Sequence, residues 1–420
     1  MEERRTQNLT KNTCVILILL LFERIAYYGV RSLLMLYLVS ETFQLTDYGA
    51  MTIYRYIIYF LLFTQVVGGV FGDFIFKNKK SIFFGGLLAV LGCVNICFPN
   101  ENIVYSGLAL MTLGSGFMKP NILAAYGKIY YQKEKFLDTA FSVYYLVVNA
   151  GAFIGIALFA YISNEYGFVP GFGFAAVLYI IISLLALAIS EMKGIRPFKI
   201  HRDVVFNVLY VILAISLGMV FWILYEIGGI QTNRLLFNDN FQIDLGSVVT
   251  KANILSISGM IILPLLVIFS IIWIKFHKAQ FLKVAFGFLF GALALYQFSL
   301  ISFANNENDL LCLLYGMSLF AVAETLCGPI VLSIITRYSN PKYLTIIMVV
   351  NMTVLYGGVE IINTLYYDLF NESEIFIKIS VAVFFGITLL LFLGFFIGRK
   401  FIVKNTIEND VLDQNIKSNY

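Results

Sequence analysis

The feature that most constrains this chain is a recurrence of apolar runs, each about 20 residues or longer, separated by short charged or turn-rich breaks. About 20 helical residues cross a hydrocarbon core about 30 Å thick, and runs of this length predict helices rather than the shorter strands of a barrel. Twelve spans are expected, at 13–39, 48–76, 81–98, 103–130, 139–163, 171–190, 204–230, 248–274, 281–303, 309–336, 343–369 and 375–398. Only 13% of the 420 residues are charged and 60% are hydrophobic, whereas a soluble globule is about a quarter charged. The expected fold class is therefore an all-α membrane protein embedded in a lipid bilayer. The first run is too long for a cleavable signal peptide, has no small-residue cleavage site and contains charges, so it is expected to stay in the mature chain.

Lys and Arg decide the expected orientation. They gather at Arg4, Arg5 and Lys11; at Lys77, Lys79 and Lys80; at Lys128, Lys133 and Lys135; at Lys193, Arg196, Lys199 and Arg202; at Lys275, Lys278 and Lys283; and at Arg337 and Lys342. Every second loop is basic, while the alternate loops hold only Arg234, Lys251 and Lys378. The positive-inside rule then puts both termini in the cytoplasm of a multi-pass protein of the cell membrane. The net charge of +4 says little about nucleic acid, because the bases lie in short clusters rather than on one patch, and no nucleic-acid partner is expected.

The stretch EMKGIRPFKIHRD at 191–203 is the longest basic connection and cuts the chain into two six-helix halves. The expected organisation is a tail at 1–12, a six-helix bundle at 13–190, a linker at 191–203, a second bundle at 204–400 and a tail at 401–420. Weak echoes between the halves support a repeat: FERIAYYG in span one against LYEIGG in span seven, and KPN in span four against ETLCGP in span ten. Halves of this kind mark major-facilitator transporters. GGVFGD followed by Lys77, Lys79 and Lys80 resembles the signature loop of that superfamily, and Asp73 is expected to pin the cytoplasmic gate.

Little in the chain points to an enzyme. His201 and His277 are the only histidines and fall in loops; Cys14, Cys93, Cys97, Cys312 and Cys327 fall inside spans with no CxxC, as small core residues do. No phosphate-binding GxxxxGK[ST] loop occurs. No metal, cofactor or catalytic set is expected. A channel is the other non-transporter class, distinguishable by electrical recording.

Charges inside spans carry the functional signal, since each costs about 2.5–3.5 kcal/mol at a helix centre. The first half holds Arg24, Arg31 and Lys119 against Glu23, with Arg55 near enough to the end of span two to snorkel. The second half holds Glu226, Glu324 and Glu360. Arg31 with Glu226 is expected to close the outer gate, and Lys119 to face Glu324 near the midplane. Glu360 is either a third cavity acid or an outer-interface residue. Basic and acidic walls suit a zwitterion: Arg24 can take a carboxylate bidentately, Lys119 adds a point charge, Glu324 accepts an amine and Asn149 bonds an amide. The bland alternative is that these pairs only lock the halves together.

ERIAYYGVRSLLMLYL, GSGFMKPNI, AFSVYYLVVNAGAF and FWILYEIGG together resemble the proton-dependent oligopeptide transporter family, most densely over residues 22–175. The resemblance implies a major-facilitator fold, and the 191–203 loop is too short for the two extra helices typical of bacterial members, so twelve spans are expected rather than fourteen. It also implies proton-coupled symport of di- and tripeptides by a protein expected to be a monomer. Carried over by motif, it assigns peptide binding to Arg24, Tyr27, Tyr28, Lys119, Asn149, Trp222, Glu324 and, by approximate position, Asn253. Proton coupling or gating falls to Glu23, Arg31, Lys119, Glu226 and Glu324. The departures bear on coupling and pocket size. Leu20 stands where the family's ExxERF has its first acid, Ile25 replaces the phenylalanine, and Asn351 stands where a tryptophan is common. A relative with other small anionic or zwitterionic cargo, or with weakened proton coupling, is the alternative that Leu20 favours.

Overall fold

The structure is a computed structural model that describes residues 2–40, 43–131, 133–190, 204–236, 251–301, 307–369 and 377–397. The 191–203 linker, the 401–420 tail and the side chains of residues 1–9 and of Asn253 lie outside the described residues. Among the described residues there are twelve long helices and no strand: α1 (Glu2–Val39), α2 (Asp47–Val70), α3 (Lys77–Ile96), α4 (Glu101–Tyr130), α5 (Leu137–Tyr166), α6 (Phe168–Ala188), α7 (Val204–Leu236), α8 (Lys251–Lys275), α9 (Gln280–Ser299), α10 (Glu307–Tyr338), α11 (Leu344–Leu369) and α12 (Ile377–Ile397). They match the twelve expected spans within a few residues, apart from α1, which begins well before its span.

Local chemistry sets the boundaries. The Thr46 and Asn100 side chains accept from the backbone N–H groups of Gly49 and Ile103 and so cap α2 and α4. Gly167 adopts φ +86° between α5 and α6, a conformation that suits glycine at a helix end. Past Val70, α2 widens into a π-turn over Phe71–Ile75, closed by the Phe76 N–H to Phe71 O bond of 2.7 Å. Lys77, at φ +64°, then reverses the chain into α3. This widened turn is what carries Asp73.

Ten of the described helices are long and apolar enough to cross a membrane. α4 misses that standard because Thr112, Gly114, Ser115, Gly116, Lys119 and Asn121 are all buried on it; its surroundings are protein rather than lipid. Small residues let neighbours approach it: a methyl group on Gly85 of α3 would lie 2.7 Å from the Gly114 carbonyl oxygen, and one on Gly107 would lie 2.7 Å from that of Gly92. Lipid-facing surface is evident on α7 and α12, where Leu209, Ile212, Leu389, Leu390 and Leu393 are exposed.

The chain divides into two compact units. The first comprises Met1–Val220, Ile262–His277 and Val331–Ile361; the second comprises Phe221–Ile261, Lys278–Ile330 and Ile362–Tyr420. The division passes through α7, α8, α10 and α11, and within the first unit segments of α10 and α11 pack on α2, α4 and α5 at the basic turns. The second unit has its own aromatic core, with Phe221 buried 5.8 Å from Phe288 and 6.1 Å from Phe384 between ring centroids.

Candidate functional site

The first unit gathers the predicted bases around α1. Glu23 and Arg24 are buried, and Arg24 Nε lies 2.6 Å from Glu23 Oε2. Neither that nitrogen nor either carboxylate oxygen has a well-directed hydrogen bond, so adjacent residues on one helix are held here by charge alone. Lys119, buried on α4, places Nζ 3.1 Å from the centre of the Tyr27 ring, a close cation–π contact. Lys119 is within electrostatic reach of Arg24, Glu23 and Arg31, and Arg24 within reach of Tyr28, Tyr144 and Tyr356. Tyr27 and Tyr28 meet edge to face at 5.3 Å. Three bases, one acid and a sheath of phenols thus form one centre, short of carboxylate and able to take an anionic group.

Arg31 donates to the Tyr54 hydroxyl, with its guanidinium carbon 5.1 Å from that ring; Arg31 and the expected outer-gate partner Glu226 belong to different units, as do Lys119 and Glu324. Asn149 donates to the Tyr145 carbonyl of its own helix at 3.0 Å. Glu360 stands with α2, where Tyr59 donates to it at 3.3 Å and Arg55 Nε lies 3.8 Å away. Arg55 is therefore a pairing residue and not only a snorkelling one, although a pair this exposed contributes under about 1 kcal/mol.

Asp73 is the centre of a polar network at the basic turns of the first unit. Its side chain is fully buried and accepts from Thr345 Oγ1 at 2.6 Å, from the Ile346 N–H at 2.9 Å and from Lys128 Nζ at 3.2 Å. The Ile346 contact puts a carboxylate on the free N–H groups that begin α11, where the helix dipole favours negative charge. Lys128 also donates to Asn78 Oδ1 at 2.7 Å, and Asn78 Nδ2 donates to Asn121 Oδ1 and Thr345 Oγ1, each at 2.8 Å. Asn121 donates in turn to the carbonyls of Gly68 at 2.9 Å and Phe117 at 2.8 Å, beside Pro120, which has no N–H for its own helix. A second polar tie joins the α4–α5 turn to α10: Ser333 Oγ donates to buried Asp138 at 2.5 Å, Glu134 pairs with Arg337, and the Tyr131 hydroxyl donates to Ser339 O. Sequence reasoning found Asp73 but none of its partners as partners; Lys128 was read only as a topogenic charge.

The second unit holds Glu324, buried on α10 and hydrogen-bonded to the Tyr225 hydroxyl of α7. Glu226, also on α7, is within electrostatic reach of that hydroxyl. Trp222 meets the Tyr225 ring edge to face at 5.2 Å, and Tyr225 packs on Phe320 at 4.9 Å. Among the described residues no group of acids, histidines and cysteines could hold a metal ion.

Residues 79–217 match the sequence profile of the POT family. The chain is similar to an uncharacterized transporter, YclF, of Bacillus subtilis (28% identity over 182 residues) and to dipeptide and tripeptide permease B of Aliivibrio fischeri (30% over 187). These alignments take in 41% and 42% of this chain and 36% of each relative, so the chain spans just over a third of the length of the curated relatives it matches. Two crystal structures are alike in fold over most of the chain. One is a mutant peptide transporter POT in complex with sulfate, at TM-score 0.65 and 18% identity, covering 91% of this chain and 94% of that one. The other is a POT family transporter in complex with 5-aminolevulinic acid, at 0.64 and 19%, covering 91% and 95%. The fold is thus that of these two solved structures, and residues 79–217 resemble the POT family.

Proposed function

We propose that the protein is a secondary active transporter that carries di- and tripeptides into the cell together with protons. It works as a monomer in the cell membrane with both termini cytoplasmic, and its six-helix halves, 13–190 and 204–400, rock in alternating access. The observation that carries the reading is the pair of buried, oppositely charged centres. Arg24 and Lys119 form a base-rich one, and Glu324, beside a neutral phenol, forms an acidic one. Burying such groups costs several kcal/mol per ion, and a static lock is better built from apolar side chains. The bases are assigned the peptide carboxylate, Glu324 its ammonium group, and Asn149 and Trp222 further contacts to the peptide. Glu23, Arg31 and Glu226 serve coupling and gating, and the Asp73 network closes the cytoplasmic side. The permease relative carries dipeptide and tripeptide in its name, in agreement with this cargo.

The test is uptake of a labelled dipeptide and tripeptide by proteoliposomes, with and without an inward proton gradient. Wild type is expected to accumulate both only with the gradient, and Lys119→Ala and Glu324→Gln to abolish accumulation; normal accumulation by both variants rejects the model. A second reading has its own observation. Leu20 is completely buried in α1, where a coupling acid would otherwise stand, and a POT family neighbour is bound to 5-aminolevulinic acid, a small zwitterion. Peptide or amino-acid uptake indifferent to the gradient identifies that alternative.

A further inference from the structure

Beside Glu324 the second unit contains a cavity of about 140 Å³, lined by Tyr225, Gly228, Gly229, Thr232, Asn233, Phe298, Met317 and Phe320. Every one of these residues belongs to the same unit as Glu324. Three of the liners matter to its chemistry. Tyr225 reaches Glu324 with its hydroxyl while its ring borders the cavity. Thr232 gives its proton to the Gly228 carbonyl at 2.9 Å, which leaves its oxygen lone pairs as acceptors, and Asn233 adds an amide. Among the described residues nothing lies within 4 Å of where a Cβ on Gly229 would stand, so its missing side chain is open space there. At about 30 Å³ per water, the cavity has room for about four waters, and the polar groups each needs are at hand. Along α7 these residues recur at 225, 228–229 and 232–233, one helical face, so the cavity follows that helix from its middle toward its C-terminal end.

We infer that Tyr225 and this cavity form the proton-entry route to Glu324, with cavity water on one side of the phenol and the carboxylate on the other. The transfer balances without any other reactant. A hydronium in the cavity gives its proton to the phenol oxygen, the phenol passes its own proton to the Glu324 carboxylate, and water and a carboxylic acid remain. Other charged or titratable groups on the packed elements are Glu226 on α7, within electrostatic reach of Tyr225, and Lys283 on α9 and Asp309 on α10, both buried. The ring of Tyr225 is held by Phe320 and Trp222, so a phenylalanine there keeps the packing and removes the relaying hydroxyl together with its hydrogen bond to Glu324. This inference deepens the proton-coupled reading and rests on it.

The experiment separates the two. In detergent-purified protein, the carboxylic-acid infrared band lost in Glu324→Gln is followed after a rapid pH drop, a measurement that needs no transport. Tyr225→Phe is expected to slow the rise of that band at least tenfold with the same end point, and Gly229→Leu, whose side chain displaces cavity water, to do likewise. Gly229→Leu is also expected to keep peptide counterflow within twofold of wild type, which shows that it folds. Rates equal to wild type in both variants overturn the route. Absence of gradient-driven uptake in the wild type overturns the transport reading instead, and leaves the infrared result to decide the relay.

Discussion

Replacing Asp73 by alanine removes the acceptor for three donors on two other helices at once: Thr345 Oγ1, the Ile346 N–H and Lys128 Nζ. Hydrogen bonds to a charged group are worth about 1.5–3 kcal/mol each, but three on one carboxylate do not add. The better guide is the loss of one partner from a buried pair, about 3–5 kcal/mol. The low end applies, because Lys128 keeps Asn78 Oδ1 at 2.7 Å. About 3 kcal/mol is roughly a hundredfold shift in the equilibrium between the tied and released start of α11. Asp73→Asn keeps one oxygen for Thr345 or Ile346 and loses the ion pair, which predicts about half the energy and roughly a tenfold shift. Hydrogen–deuterium exchange in nanodiscs measures this directly at the Ile346 amide, with α3 amides as the internal control. Exchange at Ile346 is expected to quicken roughly a hundredfold in Asp73→Ala and tenfold in Asp73→Asn, with α3 unchanged. Unchanged protection of Ile346 in Asp73→Ala would refute the idea that this carboxylate holds α11.

Three further outcomes follow from the geometry. Arg24→Lys keeps the charge but loses the planar fork, and is expected to raise the half-saturating dipeptide concentration about tenfold, about 1.4 kcal/mol; an unchanged value in proteoliposome uptake separates Arg24 from the substrate. A Cβ on Gly155 would stand 2.6 Å from the Ile25 carbonyl oxygen of α1, so Gly155→Val is expected to cost about 1–3 kcal/mol and to lower the thermal midpoint in detergent. Gly173→Ala, with nothing among the described residues within 4 Å of the new methyl, is expected not to lower that midpoint, since alanine favours the helix interior over glycine. Asp138→Ala removes an acceptor from the buried Ser333 hydroxyl and costs about 1–3 kcal/mol, while Asp138→Ala with Ser333→Ala is expected to cost less than the sum of the two single changes; additive losses in thermal unfolding contradict a shared bond.

The sequence made the helices legible because hydropathy is a local property: each span announces itself within about 20 residues, and twelve helices stand close to where the apolar runs lie. Arg24, Lys119 and Tyr27 were legible for a related reason, since a base inside an apolar helix is costly wherever it ends up. What local pattern cannot carry is pairing over long separations. Asp73 meets residues 272 and 273 positions away, and Asp138 meets Ser333 across 195; Thr345, Asn78 and Ser333 are common residues whose significance exists only once the chain is folded. Arg31 shows the converse. Its charge invited an acid as partner, and the structure supplies a phenol, Tyr54, from a helix full of tyrosines that no spacing rule singles out. Glu360 was ambiguous for the same reason, and in the structure it stands beside Tyr59 and Arg55.

The exchange of an acid for Leu20 bears on coupling through charge sign. In the α1 cluster, Glu23 lies among Arg24, Arg31 and Lys119. The cluster is positive with Glu23 ionised and remains positive with it protonated, so its attraction for a carboxylate persists in both states. Glu324 differs: its hydrogen-bond partner is the neutral Tyr225, and one proton there converts a negative site into an uncharged one. A switch must change sign or vanish with the proton to alter what it binds. On the proton-coupled reading, with the first acid of α1 absent, Glu324 in α10 is a group that meets that condition, so the proton is to be followed there as well as at the α1 cluster.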